Sequence, residues 1–414
     1  MRRKLILFAS IFILLLYFVQ FNLFSPKDLV VFLSLKKASK ENNICDKNAS
    51  TLIVMNTALL AQFSASDIEV VDLQNLGAVV DSGLDINYLI FGYWEENFDF
   101  LHRKLRKIDK TTIRVVVRNI IIDTPYIRIL ISPIKIHQDY WYMQSINELN
   151  LSALAILTPH DFSRKSATFL NESFELLVPE PSHQIIKDLK ASRFIECRRD
   201  LAQRTEQLYK TKFNIGISVI NASVVDDMAY LRDKLRTIDM TILLHSGSLL
   251  GWYRECGIIP HTTDIDLSFP SAEYNPKMDD VIRNDKRLKA YWRLGYPHDG
   301  LEYSTYAGPA KIDVFGLYYD EKSNESWIGG MIVDKKEKIK FVYPGAVVLC
   351  SADLLGRLFH VPCDVERFLV ADYGDNWSYP HLTSDYVWDK SPKSLRRVGK
   401  FTDEEWPKVF KVFQ

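Results

Sequence analysis

The stretch His245-Ser-Gly-Ser-Leu-Leu-Gly-Trp-Tyr-Arg-Glu-Cys-Gly-Ile-Ile-Pro-His-Thr-Thr-Asp-Ile-Asp-Leu-Ser268 decides how this chain is read. Thr241-Ile-Leu-Leu244, just before it, is a short apolar run with the composition of a strand. Gly247-Ser248 and a helix beginning at Leu249 then make a strand–turn–helix unit. Backbone N–H groups at such a helix start suit a phosphate, and glycine lets the ligand approach the main chain. A loop holding Gly257 and Pro260 leads into Asp264-Ile-Asp266-Leu-Ser. Residues two apart share a strand face, so both carboxylates project together while Ile265 and Leu267 face the core. Paired carboxylates beside a phosphate site suit Mg²⁺, a hard cation that takes one or two carboxylates plus substrate phosphates.

The spacing D-x-[DE] alone decides little, since it recurs at Asp67/Glu69, Asp364/Glu366 and Asp403/Glu405, where solvated surface carboxylates are the simpler reading. The Gly-Ser turn upstream sets Asp264/Asp266 apart. A third carboxylate stands in Lys311-Ile-Asp-Val-Phe315, where Asp313 alternates with Ile312 and Val314 on an expected neighbouring strand. Three acidic side chains converging on one face repel each other unless a cation holds them. Asp264, Asp266 and Asp313 are therefore the candidate catalytic and metal-binding residues.

Upstream of the turn, Met228, Leu231, Leu235 and Ile238 recur at helical steps, and a second lumenal domain is placed over 198–414. Before it, Leu52–Met55, Tyr88–Phe91, Ile113–Val117, Tyr126–Ile131 and Leu154–Leu157 read as strands, some with one wet face as at Arg114 and Arg128. Ser182–Cys197 has helical spacing. Residues 48–197 are accordingly expected to form a mixed α/β domain without a catalytic constellation, and the whole chain an α/β (α+β) protein.

The N-terminus reads as a membrane anchor. Met1-Arg-Arg-Lys4 precedes the apolar segment 5–24, and twenty helical residues at about 1.5 Å each span roughly 30 Å of hydrocarbon. Cations before the segment and none inside it hold residues 1–4 in the cytosol, which makes a single-pass type II protein with 25–47 as a stem. A cleaved signal peptide fits less well, because the segment ends at Ser25-Pro26 without a small-residue site.

The 414 residues carry 52 Lys+Arg against 52 Asp+Glu. Such a balance argues against a nucleic-acid partner, which a basic excess would have signalled. Sequons at Asn48, Asn150, Asn171, Asn221, Asn324 and Asn376 favour the secretory pathway. Cys45, Cys197, Cys256, Cys350 and Cys363 show no C-x-x-C, so they read either as one or two disulfides or as buried apolar thiols.

The run S-G-S-L-L-G-W-Y-R-x-C-x-I-I-P-x-T-x-D-I-D, followed by K-I-D-V-F, resembles the LicD/fukutin family of nucleotidyltransferase-fold proteins. Val361-Pro-Cys-Asp364, Tyr373-Gly-Asp-Asn-Trp377, Trp388-Asp-Lys-Ser-Pro392 and Glu405-Trp406 extend the resemblance, which covers roughly Leu235 to the C-terminus. It implies a Golgi or endoplasmic-reticulum membrane enzyme with a lumenal catalytic domain. Such an enzyme moves ribitol 5-phosphate, or a related phospho-polyol, from a CDP-activated donor to a glycan or glycoprotein acceptor and releases CMP. It implies Mg²⁺ (or Mn²⁺) on Asp264, Asp266 and Asp313. Gly247, Ser248 and Arg254 would contact the phosphates or fix the loop that does, and Asp313 and His261 are the candidates to take the acceptor's proton. A phosphocholine donor, as in bacterial relatives, and a catalytically silent scaffold are the alternatives. A homo-oligomer, or a complex with related glycosyltransferases, is a partner state compatible with the family. An ordinary D-x-D glycosyltransferase is disfavoured by the Gly-Ser turn some twenty residues upstream of the pair.

The remaining features have plainer readings. Trp252, Tyr253, Trp377 and Trp388 are expected to pack in core or loops. Tyr373-Gly-Asp-Asn-Trp377 reads as a turn with Gly374 at positive φ, and Asp334–Lys340 as a solvated hairpin or loop.

Overall fold

The computed structural model describes residues 190–213, 219–382 and 385–413 with side chains, and upstream of them 135–145, 152–158, a few positions between 181 and 188, and otherwise strand backbone. Residues 5–24, the expected anchor, lie outside the described residues, as do 1–4 and Cys45. Among the described residues no helix is long and apolar enough to cross a membrane.

Chain contacts divide the protein into two units, Met1–Ser192 and Arg193–Gln414. The first unit is built on two sheets. One contains an antiparallel hairpin of Asp161–Phe169 and Glu172–Glu180, with a short parallel partner Val70–Asp72. The other pairs Tyr88–Trp94 in parallel with Arg128–His137 and continues antiparallel through Asn119–Asp123 and Ile113–Val116. Strands occur at all five expected runs; the wet-face expectation at Arg114 and Arg128 concerns side chains outside the description. Within Ser182–Cys197 the positions 184, 187, 188 and 190 are helical, but the expected helix does not reach Cys197: 191–197 form a turn and extended chain, because the backbone of Arg193 and Ile195 hydrogen-bonds to Ser351 instead of to its own preceding turn.

The second unit is a mixed eleven-stranded sheet with helices. Helix α1 (Arg199–Leu208) and α2 (Val224–Arg236) come first, and α2 buries Met228, Leu231 and Leu235 completely on its apolar stripe. The strands that follow are β1 (Leu243–Leu244), β2 (Asp264–Pro270), β3 (Leu288–Tyr296), β4 (Asp299–Ala307) and β5 (Ala310–Asp320). They continue as β6 (Glu325–Ile332), β7 (Glu337–Pro344), β8 (Leu349–Leu354), β9 (Arg357–Pro362), β10 (Leu395–Lys400) and β11 (Phe410–Val412). Their main order is β8-β9-β1-β2-β5-β4-β3-β11, with β6, β7 and β10 extending from β5. A short helix α3 (Ser246–Leu250) sits between β1 and β2, α4 (Met278–Arg283) precedes β3, and α5 (Val365–Tyr373) follows β9.

The period-2 pattern of the central strands sorts their side chains. Ile265, Leu267, Ile312, Val314, Leu301 and Tyr303 are all at most 1% exposed and fill one face. Fully burying such a side chain contributes roughly 1.5–3 kcal/mol each, which makes a register slip across β2, β5 and β4 costly. The opposite face keeps Asp264, Asp266, Asp313, Lys311, Ser304 and Glu302 together, because β2 pairs in parallel with β5 and β5 antiparallel with β4.

Two disulfides occur among the described residues, Cys197–Cys256 and Cys350–Cys363. The first closes a loop across 59 positions and ties the entry to α1 to the end of the turn segment. Asn221, Asn324 and Asn376 are exposed. Of the four aromatics expected to pack, Trp252 and Trp377 are buried and Tyr253 partly so, but Trp388 is 52% exposed. The three residues that follow it, Asp389-Lys-Ser391, are polar and keep this segment at the surface. Gly374 takes φ 75 at the end of α5, as the turn required. Asp334–Lys340 is the turn and first half of the β6–β7 hairpin.

Candidate active site

The carboxylates meet because register leaves them no alternative. Asp266 lies directly opposite Asp313, Asp264 opposite Lys311, and Ser304 opposite Asp313 on the far side. One oxygen from each of Asp264, Asp266 and Asp313 lies within 4.8 Å of the others, the spacing of ligands around a single cation. Asp264 and Asp266 are half-buried and Asp313 is buried. Burial first, then the negative charges of Asp264 and Asp313, push the Asp266 carboxyl well above its ordinary range. Burial likewise raises Asp313, opposed by the Lys311 ammonium. Three carboxylates against one ammonium form an oxygen-only, net negative cluster, and that donor set fits Mg²⁺ or Mn²⁺.

The Gly-Ser turn acts on this cluster directly. The Gly247 N–H donates to Asp266 Oδ2 at 3.1 Å, and the Asp266 N–H donates to Ser248 Oγ at 3.0 Å. The His245 N–H donates to the Asp266 carbonyl at 3.2 Å. Turn and strand are thus clamped reciprocally. A Cβ on residue 247 would stand 3.2 Å from Asp266 Oδ2, so this glycine is needed for closeness. Ser246, next to it, takes φ 40, a conformation that side-chain-bearing residues rarely adopt. The helix begins at Ser246, three residues before the expected Leu249, and lasts five residues before a π-helical turn at Gly251–Glu255.

Arg254 makes contacts of the loop-fixing kind, one of the two roles the family resemblance implies. It is 3% exposed and its guanidinium is fully engaged inside the protein. It pairs with Glu255 at 2.6 Å and donates to the Trp377 carbonyl at 3.0 Å and to Tyr209 Oη at 3.4 Å. These contacts occupy the guanidinium within the protein, in keeping with the loop-fixing alternative. His261 packs edge-on against Tyr209 at 5.8 Å, beside Arg254, and burial holds its imidazole below the usual range.

Sequence reasoning passed over several residues on the same face. Lys311 Nζ stands 2.8 Å from Asp313 Oδ2 and lies over the Trp292 ring at 5.3 Å. Ser304 Oγ donates a short hydrogen bond to Asp313 Oδ1. Glu302 accepts from Trp292 Nε1 at 3.2 Å, and burial together with the Asp313 charge pushes its carboxyl up to about 8. The alternation Leu301-Glu-Tyr-Ser-Thr305 was the available signal: a strand whose polar positions share a face. Behind β2 runs a buried polar chain. Ser268 Oγ and His245 Nδ1 are 3.0 Å apart, His245 Nε2 and Tyr343 Oη 3.0 Å, Tyr343 donates to Asp372 Oδ2 at 3.2 Å, and Ser394 donates to Asp372 Oδ1 at 2.7 Å. Burial keeps His245 neutral, its value pushed down to about 3.

The second unit thus presents three carboxylates on a mixed sheet beside a clamped Gly-Ser turn. Residues 239–364 match the family described as LicD/FKTN/FKRP, nucleotidyltransferase domain. The chain is 30% identical over 244 residues to the human ribitol-5-phosphate transferase FKTN, covering 58% of this chain and 51% of that protein. An uncharacterized protein of Caenorhabditis elegans is 36% identical over 195 residues, 45% of this chain and 51% of its own length. A second uncharacterized protein of that nematode is 32% identical over 248 residues, 58% of this chain and 61% of its own. The chain spans about half the length of the curated relatives it matches, somewhat more for one of them. Over that stretch it resembles fukutin, and residues 239–364 carry the match to the LicD nucleotidyltransferase domain.

Proposed function

We propose that the second unit is a phosphotransferase that moves ribitol 5-phosphate, or a related phospho-polyol, from a CDP-activated donor to a glycan hydroxyl. The observation carrying this reading is the convergence of the Asp264, Asp266 and Asp313 oxygens within 4.8 Å, inside the residues that match the family. In the reaction the acceptor oxygen attacks the polyol-side phosphorus, the bond from that phosphorus to the bridging oxygen breaks, and the electron pair leaves with CMP. The acceptor's proton passes to a base.

Asp264, Asp266 and Asp313 would hold Mg²⁺, which when bound neutralises charge on the diphosphate. The chain's own work is positioning. Gly247 and Ser248 fix Asp266, Ser304 orients Asp313, and the β2–β5 register sets their separation. Hydrogen-bonded carboxylates on paired strands need no rearrangement before the transition state, which is where electrostatic catalysis gains.

We place the enzyme in the Golgi or endoplasmic reticulum as a single-pass type II protein, with 1–4 cytosolic, 5–24 as anchor, 25–47 as stem, 48–197 as a first lumenal domain and 198–414 as the catalytic domain. Two disulfides and three exposed sequon asparagines support an oxidising lumen. The acceptor is a glycan or glycoprotein, and a homo-oligomer or a complex with related transferases is the expected assembly. The test incubates the protein with CDP-ribitol, acceptor and Mg²⁺ and follows CMP release, with CDP-choline in parallel. Release from CDP-ribitol that Asp266→Asn lowers by at least about a hundredfold is expected; equal release from both proteins would refute the assignment.

A further inference from the structure

Both oxygens of Asp313 already have partners. Oδ1 is taken by the Ser304 hydroxyl and Oδ2 by the Lys311 ammonium at 2.8 Å. A cation shared by Asp264, Asp266 and Asp313 must draw on one of these two oxygens. Ser304 is completely buried and fixed on the adjacent strand, so it has nowhere to move. Lys311 is different. Its side chain is 25% exposed, its stem is four flexible carbons long, and its ammonium already lies over the Trp292 ring at 5.3 Å, so part of its charge stabilisation does not depend on Asp313. A dication at the carboxylates and an ammonium on Asp313 Oδ2 would repel each other across a few ångströms, and the mobile partner yields.

We propose that Lys311 is an internal counter-ion of this site, standing on Asp313 while the divalent cation is absent and, once that cation binds, turning outward to contact the diphosphate of a nucleotide donor. Asp264 lies directly opposite Lys311 in the β2–β5 register, so the lysine's stem starts beside the carboxylate cluster. The displaced ammonium therefore stays at the rim of the site, on the side where a second positive charge is useful to an anionic ligand. A lysine suits this task better than an arginine, since a compact charge on a flexible stem can change partners without a planar fork to realign. The inference rests on the donor reading above and extends it by one named ligand contact.

The test uses the full chain, with Mn²⁺ as the metal probe and CDP as the ligand probe. Mn²⁺ affinity is measured by electron paramagnetic resonance, and CDP affinity by calorimetry at saturating Mn²⁺. Lys311→Met should bind Mn²⁺ about tenfold more tightly than wild type and bind CDP about tenfold more weakly. Lys311→Arg should keep CDP affinity within about threefold, because it retains the charge. A merely structural lysine would move both affinities down together or neither. Mn²⁺ binding that is unchanged or weaker in Lys311→Met overturns the proposal, and so does CDP affinity that ignores the substitution. Opposed shifts without CMP release from any donor would retain the counter-ion and remove the transferase reading; a wild-type chain that binds neither Mn²⁺ nor CDP removes both.

Discussion

Replacing Arg254 by methionine separates a structural arginine from a phosphate-binding one. The guanidinium and its partner Glu255 are 4% and 8% exposed and meet at 2.6 Å. Removing the cation takes away the ion-pair partner of Glu255 and leaves it hydrogen bonds such as that from the Tyr209 hydroxyl at 3.0 Å. Breaking one side of a buried ion pair costs about 3–5 kcal/mol, because the remaining charge stays desolvated. For a domain of about 200 residues that corresponds to a melting temperature lower by roughly 10 °C. The loss should depend on pH with a definite sign. Burial already raises the Glu255 carboxyl above its ordinary value, and without Arg254 it rises further. The deficit is therefore full above that raised value and shrinks as acid protonates the carboxyl in both folded and unfolded chains. Thermal unfolding of wild type, Arg254→Met and Arg254→Met/Glu255→Gln between pH 5 and 8 checks this, with the double variant recovering most of the loss at pH 8. A single variant as stable as wild type at pH 8 that binds CDP more weakly would refute the reasoning and return Arg254 to the donor.

Two further outcomes follow from neighbouring residues. Gly247→Ala should leave thermal stability within about 1 kcal/mol of wild type, since a helix-start alanine is tolerated, yet weaken Mn²⁺ binding about tenfold by pressing the Asp266 carboxylate aside; unchanged Mn²⁺ affinity would contradict the clamp. Asp372, whose carboxyl burial pushes up to about 7, favours its protonated form in the folded chain. Its stabilising contribution is present below about pH 4 and lost as pH rises through 7, so Asp372→Asn should gain on wild type by up to about 4 kcal/mol between pH 4 and 8; chemical denaturation giving a pH-independent difference would refute it.

The central motif was legible because each of its cues is local. Gly247, the period-2 carboxylates and Ile312-Asp-Val314 reveal their geometry within five residues of themselves. Lys311, Ser304, Glu302 and Trp292 were not legible as one group, because three different strands bring them together and their register depends on turns that no single segment encodes. Arg254 illustrates the same limit at one position: the adjacent Glu255 is equally compatible with a solvated pair and with a buried one, and burial depends on Tyr209 and Trp377 from distant segments. The burial of His245 likewise depends on Tyr343 and Phe368 from distant segments. In the first unit the apolar runs announced their strands, whereas the hairpin Asp161–Phe169 and Glu172–Glu180 begins with Asp-Phe-Ser-Arg-Lys-Ser, a composition that signals exposure more than pairing.

The Cys197–Cys256 disulfide divides the site by the way its parts are fastened. Gly247, Ser248 and Arg254 lie inside the covalent ring that this bond closes, while Asp264, Asp266 and Asp313 lie outside both disulfide loops of the described residues. The strands that carry the carboxylates are aligned by register with no covalent tie; the turn that grips one of them is also tied into a ring that only oxidation completes. The redox state of one bond therefore bears on the turn that grips Asp266 and leaves the strands bearing the carboxylates covalently untouched.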